Sequence, residues 1–268
     1  MVKDNIALLT TVANFELYNK SISWFPEHIQ KFVIDGRNGM YGIHSIKYMM
    51  RKLKGRGIEW LIMADEDVLF INPQGIDTII AKMKEEDYVV AGVRDGGQID
   101  LRIFNPYVIN TFFSVINFKV LEAIWDESAL STNQYVNDNE FDDALTGLSG
   151  IYDVRSLYEP YYCLYLWIRR LNYRILFLEA STPLMTDPIT TLVMDTEGEP
   201  LLYHTWYARS YGTNIMHTER IDNVLKLLQL RKHEITRPII FKHKTFYWQQ
   251  KISRMLFRIK RKYQSITL

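Results

Sequence analysis

Trp60-Leu61-Ile62-Met63-Ala64-Asp65-Glu66-Asp67-Val68-Leu69-Phe70 decides the reading of this chain: an apolar strand runs into three consecutive carboxylates and then turns apolar again. Three acids in such a run are costly if buried without compensation, because a desolvated carboxylate must be paired, metal-bound or protonated. The run therefore places them at the strand's end, facing a cleft. Strand alternation sends Asp65 and Asp67 to one face and Glu66 to the other. Two carboxylates converging on one point suit a hard divalent cation, Mg²⁺ or Mn²⁺, carrying a phosphorylated substrate. Adjacent acids at a strand end are more often a solvated turn than a metal site, so the neighbouring sequence has to decide.

Working outward toward the amino terminus, Asn5-Ile6-Ala7-Leu8-Leu9-Thr10-Thr11-Val12 reads as a buried first strand with Ala13-Asn14-Phe15 as its loop. A helical segment around Leu17 to Phe25 breaks at Pro26, and Lys31 to Asp35 reads as a second strand. Gly36-Arg37-Asn38-Gly39 then leads into an amphipathic helix with Ile43, Ile46, Met49, Met50 and Leu53 on one face, closed by Gly55 and Gly57. The order strand, helix, strand, helix, strand is a doubly wound beginning, which aligns the carboxyl ends of parallel strands along one edge. No Gly-x-Gly-x-x-Gly follows the first strand, which disfavours a dinucleotide site.

Asp65-Glu66-Asp67 after a buried strand, followed by Val68-Leu69-Phe70 and Asn72-Pro73, resembles the Asp-x-Asp motif of GT-A glycosyltransferases, which use nucleotide-sugar donors. The resemblance runs over roughly residues 5 to 212. It implies an α/β fold of GT-A type: a Rossmann-like, mixed but mostly parallel sheet flanked by helices. It also implies that Asp67 and Asp65 hold Mn²⁺ or Mg²⁺, and that Thr11, Ala13, Asp35, Arg37, Asn38 and Glu66 lie on the donor side. Asp35 reads equally as a turn-forming residue before Gly36.

Beyond the acidic run, Ile76 to Met83 reads as a helix, Tyr88 to Val93 as a strand and Phe112 to Phe118 as another, with Ser114 and Asn117 on the acceptor side by resemblance. Asp126 to Asp143 is polar and reads as a long loop. Pro160 reads as the first turn of a helix running to Arg170, which places Glu159, immediately before it, at the positive end of the helix dipole. By resemblance Glu159 is the base of an inverting transfer, with Asp142 or Asp143 as substitutes, although the usual Glu-Asp pair is Glu-Pro here. Leu201-Leu202-Tyr203-His204 ends an apolar strand, and His204 resembles a late third metal ligand, with Arg209 approaching the phosphates. His204 also reads as an ordinary core histidine. Trp206 and Tyr207 read as core or as sugar-stacking platforms.

Length and composition bound these readings. With 268 residues, 47% hydrophobic and 13% aromatic, the chain can bury a full core. The expected division is a catalytic domain over 1–220, its donor half 1–100 and acceptor half 101–220, with a helical extension over 221–268 that opens on an amphipathic helix from Ile221 to Leu230. A single cysteine, Cys163, fits a reducing compartment. The start Met1-Val2-Lys3-Asp4-Asn5 does not read as a signal peptide, and no stretch reaches about 18 consecutive apolar residues.

Net charge is +1, which argues against a nucleic-acid partner, yet residues 241–268 carry +8 with no acid and the rest carries −7. Within 245–263, Trp248, Ile252, Met255, Leu256, Ile259 and Tyr263 form one helical stripe beside the cations. Such a helix fits an anionic membrane surface or a docked helix with a solvated basic face. With these features, the GT-A resemblance implies a metal-dependent glycosyltransferase, cytoplasmic and peripheral to the membrane. It would move sugar from a nucleotide-sugar, a UDP-sugar first, to a saccharide or lipid-linked saccharide. A sugar nucleotidyltransferase, a metal-dependent nuclease and a non-catalytic scaffold are the rivals.

Overall fold

The computed structural model describes residues 5–228 and 236–264, with no side-chain description for Phe257 or beyond Arg258. In chain order the elements are β1 (Ile6–Val12), α1 (Phe15–Ser21), β2 (Gln30–Asp35), α2 (Ile43–Leu53), β3 (Trp60–Ala64), β4 (Val68–Phe70), α3 (Gly75–Glu85) and β5 (Tyr88–Arg94). They continue with β6 (Gly96–Ile99), β7 (Arg102–Ile103), β8 (Ile109–Asn117), α4 (Phe118–Ile124), α5 (Glu127–Thr132), α6 (Tyr162–Arg170) and β9 (Arg174–Leu178). The last are β10 (Ala180–Ser181), β11 (Thr191–Met194), β12 (Pro200–His204), α7 (Ile215–Leu227), β13 (Ile239–Phe241) and α8 (Phe246–Gln264).

The central sheet has the order β13-β2-β1-β3-β8-β5-β9, and only β8 runs against the others. This is the mixed, mainly parallel sheet flanked by helices that the sequence predicts. Strand alternation divides the core. Ala7 and Leu9 of β1 and Leu61 and Met63 of β3 face α2 and α6, whereas Leu8, Ile62 and Ala64 face α3 and the second sheet.

A smaller antiparallel sheet, β10-β11-β12-β4, abuts the first. The chain passes from one sheet to the other at the acidic run: β3 lies in the central sheet and β4 pairs with β12. Asp65-Glu66-Asp67 is thus a turn, closed by the Val68 N–H donating to the Asp65 carbonyl at 3.2 Å, and not a strand continuation. The parallel register Val12↔Asp35 and Leu9↔Met63 brings the carboxyl ends of β1, β2 and β3 to this edge.

Four local expectations are corrected. The polar stretch after Asp126 contains α5, because Asp126 caps it by accepting from the Ser128 and Ala129 N–H groups. Pro160 is not in the first turn of α6; Glu159 to Tyr161 form a separate turn, closed by the Tyr162 N–H on the Glu159 carbonyl. The segment after 220 is not wholly helical, since β13 joins β2 in parallel and stacks Phe241 on Phe32 at 5.6 Å. Helix α7 begins at Ile215, ahead of the expected Ile221, and the expected end at Leu230 lies outside the described residues. So do the side chains of Ile259 and Tyr263 and the amino-terminal Met1 to Asp4.

Candidate active site

The turn after β3 presents Asp65 and Asp67 on the same side, and strand pairing supplies the third member. His204 closes β12 opposite Val68, so β4 and β12 carry Asp67 and His204 to one spot although 137 residues separate them. One ligand atom from each of Asp65, Asp67 and His204 lies within 4.8 Å of the others. His204 Nε2 is 3.1 Å from Asp67 Oδ1, and its ring stacks on Phe112 at 4.2 Å and contacts Trp206 at 4.2 Å. Its Nδ1 is buried without a hydrogen-bond partner among the described residues. Imidazole and two carboxylates form a donor set that fits Mn²⁺ or Mg²⁺.

Electrostatics agrees with that fit. Burial first, then repulsion from Glu66 and Asp67, holds the Asp65 carboxyl well above its usual range, with only Arg209 opposing. Glu66 is pushed up to about 7 by burial and by Asp67, while N–H groups of Asn14 and Ala13 favour its charged form. The cluster is short of positive charge, which a cation would supply. Glu66 is outside the triad: Oε1 accepts from the Ala13 N–H at 2.9 Å and the Asn14 N–H at 3.0 Å, tying the end of β1 to the turn.

A cleft of about 430 Å³ lies over this cluster. Thr11, Ala13, Asp65, Glu66, Asp67, His204, Trp206 and Arg209 of the expected residues line it, and so does Glu159. Arg209 sits over the Tyr41 ring at 4.1 Å. Trp206 is both lining and core, donating from Nε1 to Thr191 Oγ1 at 2.9 Å.

Other expected residues fall elsewhere. Asp35 is engaged by Arg37, whose Nε and Nη2 donate at 2.9 and 2.6 Å, and Asn38 donates to the His243 carbonyl at 2.8 Å. Arg37 and Asn38 line a neighbouring groove and not the cleft over the triad. Asn117 is misplaced by the acceptor-side reading: β8 is antiparallel, Asn117 pairs with Trp60 at the opposite edge, and its side chain caps α4 by accepting from the Val120 N–H. Asp143 is held in an ion-pair network with Arg94, at 3.2 Å, and Arg169, and with Asp142 it lines a separate depression.

Sequence reasoning missed the support beneath Glu159. Asp95 is fully buried and accepts from Arg102 Nε at 2.5 Å and Nη2 at 2.7 Å, from Asn110 at 2.7 Å and from the Tyr162 hydroxyl. Arg102 Nη2 also donates to Glu159 Oε1 at 3.2 Å, fixing that carboxylate on the cleft wall. The only sequence signal was an acid before Gly96-Gly97. A second feature was equally invisible: Trp206 and Tyr207 both have φ near +60°, at 59° and 62°. For bulky residues that conformation costs on the order of 1–3 kcal/mol each. Arg220 holds it by donating to the Thr205 and Trp206 carbonyls while braced by Asp187 at 3.1 Å.

No protein-family model matches the chain, and no curated protein does. Among solved structures it is similar to a mannosyltransferase from Pyrobaculum calidifontis in complex with GDP-Man and Mn²⁺, at 9% identity over 46% of this chain and 47% of that one, TM-score 0.32. It is similar to the glycosyltransferase GlyE of Streptococcus pneumoniae at 10% identity over 56% and 45% of the two chains, TM-score 0.33. A glycosyltransferase involved in glycosylation of the major capsid of PBCV-1 aligns at 16% identity over 56% and 81%, TM-score 0.31. The matches span about half the length of the first two proteins.

Proposed function

We propose that the chain is a metal-dependent glycosyltransferase that moves a sugar, with inversion, from a nucleotide-sugar, a UDP-sugar first, to a hydroxyl of a saccharide or lipid-linked saccharide. The observation that carries this reading is the convergence of Asp65, Asp67 and His204 at the carboxyl edge of a parallel sheet, where such folds bind ligands. Asp65, Asp67 and His204 would hold the divalent cation, which when bound offsets charge developing on the leaving diphosphate. Arg209, on the same wall, adds a guanidinium suited to phosphate oxygens.

In the transfer the bond from the anomeric carbon to the diphosphate oxygen breaks with its electron pair on the nucleotide. A bond to the acceptor oxygen forms as that hydroxyl's proton passes to the Glu159 carboxylate. Arg102 keeps Glu159 oriented for this role. Helix α8, with its cations and exposed apolar stripe, would hold the enzyme to the cytoplasmic face of an anionic membrane. Among the described residues no helix is long and apolar enough to cross one.

Calorimetric titration with UDP and GDP, with and without Mn²⁺, tests the reading. Metal-dependent UDP binding that disappears in Asp67→Asn is expected. Absence of nucleotide binding under every condition would overturn it.

A further inference from the structure

The cleft shares Tyr41, Gly42 and Glu159 as lining with a larger groove of about 1010 Å³ whose outer wall is α8. Its inner wall is the segment from Arg37 to His44. Helix α8 is moored at its first residue: Phe246 is buried against His44, with ring centroids 5.3 Å apart, and against His243 at 5.8 Å. Past that anchor Trp248, Ile252 and Met255 line the groove while remaining 57%, 53% and 55% exposed. Nothing in the chain's described residues covers them, so the docked-helix alternative does not account for this face.

The groove is apolar in lining and positive in potential. Lys251, Arg254 and Arg258 edge it, and α8 carries no acid. Across the groove, burial and the neighbouring Lys47, Arg254 and Arg51 push His44 below its ordinary value. Glu159 is the acid among the lining residues, and it sits where groove meets cleft. A free saccharide, dense in hydroxyls, would leave the Trp248-Ile252-Met255 face uncovered and the cations without a counter-charge. An amphiphile meets both demands, and the volume is at the upper end of what small-molecule sites offer.

We propose that the groove between α8 and the Arg37–His44 segment is a lipid subsite that takes the apolar chain and phosphate head of one membrane-borne acceptor, leaving its saccharide end at Glu159. The assignment to an acceptor rests on the transferase reading; the binding itself does not.

The test uses the full chain and farnesyl phosphate below its critical micelle concentration, with farnesol and inorganic phosphate as chain-only and head-only probes, followed by calorimetry. Farnesyl phosphate should bind at least about tenfold more tightly than either part. The double variant Ile252→Glu/Met255→Glu should weaken it at least about tenfold, because an ionised carboxylate would lie along the chain. Leu256→Glu, 57% exposed on the same helix but outside the groove, should leave it unchanged. All three positions are exposed, so folding is not at issue. No binding of farnesyl phosphate, farnesol binding equally well, or an equal loss with Leu256→Glu would overturn the subsite. UDP and Mn²⁺ titrations on the same samples separate the two readings: if they fail while farnesyl phosphate behaves as expected, the transferase falls and the lipid groove stands.

Discussion

Replacing Asp67 by Asn should make the metal-free protein more stable and the metal-loaded protein less so, a reversal that ordinary core damage would not produce. Asp65 and Asp67 bring oxygens within 4.8 Å of each other, and two full charges at that distance repel by about 3 kcal/mol at an effective dielectric of about 20. Proton uptake at Asp65, whose carboxyl burial and its acidic neighbours hold above the usual range, relieves part of that. Relief at Glu66, which Asp67 also perturbs, adds to the gain, and a weaker hydrogen bond to His204 subtracts about 1 kcal/mol. The net for the metal-free variant is a stabilisation on the order of 1 kcal/mol. Mn²⁺ at a hundredfold excess over its dissociation constant should stabilise the native protein by about 2.7 kcal/mol and the variant scarcely at all. Urea unfolding at pH 8 in EDTA and then in Mn²⁺ measures both numbers. A variant less stable than the native protein in EDTA, or one with an equal response to Mn²⁺, would refute the idea that these acids are an uncompensated cation cradle.

Four further outcomes follow from the same geometry. Asp95→Ala strips Arg102 of its bidentate partner in a site where the Arg102 side chain is only 13% exposed, and should cost about 3–5 kcal/mol in urea unfolding. On the base role proposed for Glu159, Glu159→Gln should lower turnover about 10²–10⁴-fold while leaving UDP binding in calorimetry intact. Cys163, buried and pushed up to about 11, should react with iodoacetamide at pH 8 at least about a hundredfold more slowly than a free thiol, rising tenfold per pH unit. Glu140 is held below its ordinary value by Arg170, so its contribution is complete above the unfolded carboxyl range near about pH 4 and is lost as pH falls through the lower folded value. Glu140→Gln should accordingly flatten the acid limb of a stability-versus-pH curve.

The sites legible in the sequence are those whose position depends on local pattern. The run Trp60 to Phe70 fixes both a buried strand and its acids, and Ala13 follows from the end of the first strand. Asn117 failed because periodicity marks a strand without giving its direction: β8 runs opposite to β3, which sends its carboxyl end to the far edge. Glu159 lines the cleft beside Pro160, although the helix begins only at Tyr162. β13 escaped notice because three residues with Ile239 and Ile240 exposed carry no alternation. The Asp95-Arg102 pair is beyond any local reading, since Tyr162 and Glu159, which complete it, are 67 and 57 residues from their partners.

His204 shows where the boundary lies. Its local signal, a histidine at the end of an apolar strand, is weak, and a core role fits it as well. What turns it toward Asp65 and Asp67 is that the chain leaves one sheet and enters another within the three acidic residues, so β4 emerges antiparallel to β12. The same turn that keeps three carboxylates from being buried in a strand also creates the edge against which a distant histidine can pair. Moving the triplet into β3 by even two residues would put it in the central sheet, away from the His204 ring that meets Asp67 and from the Ala13 and Asn14 N–H groups that meet Glu66. The acids are tolerated because the sheets part there, and the cleft exists for the same reason.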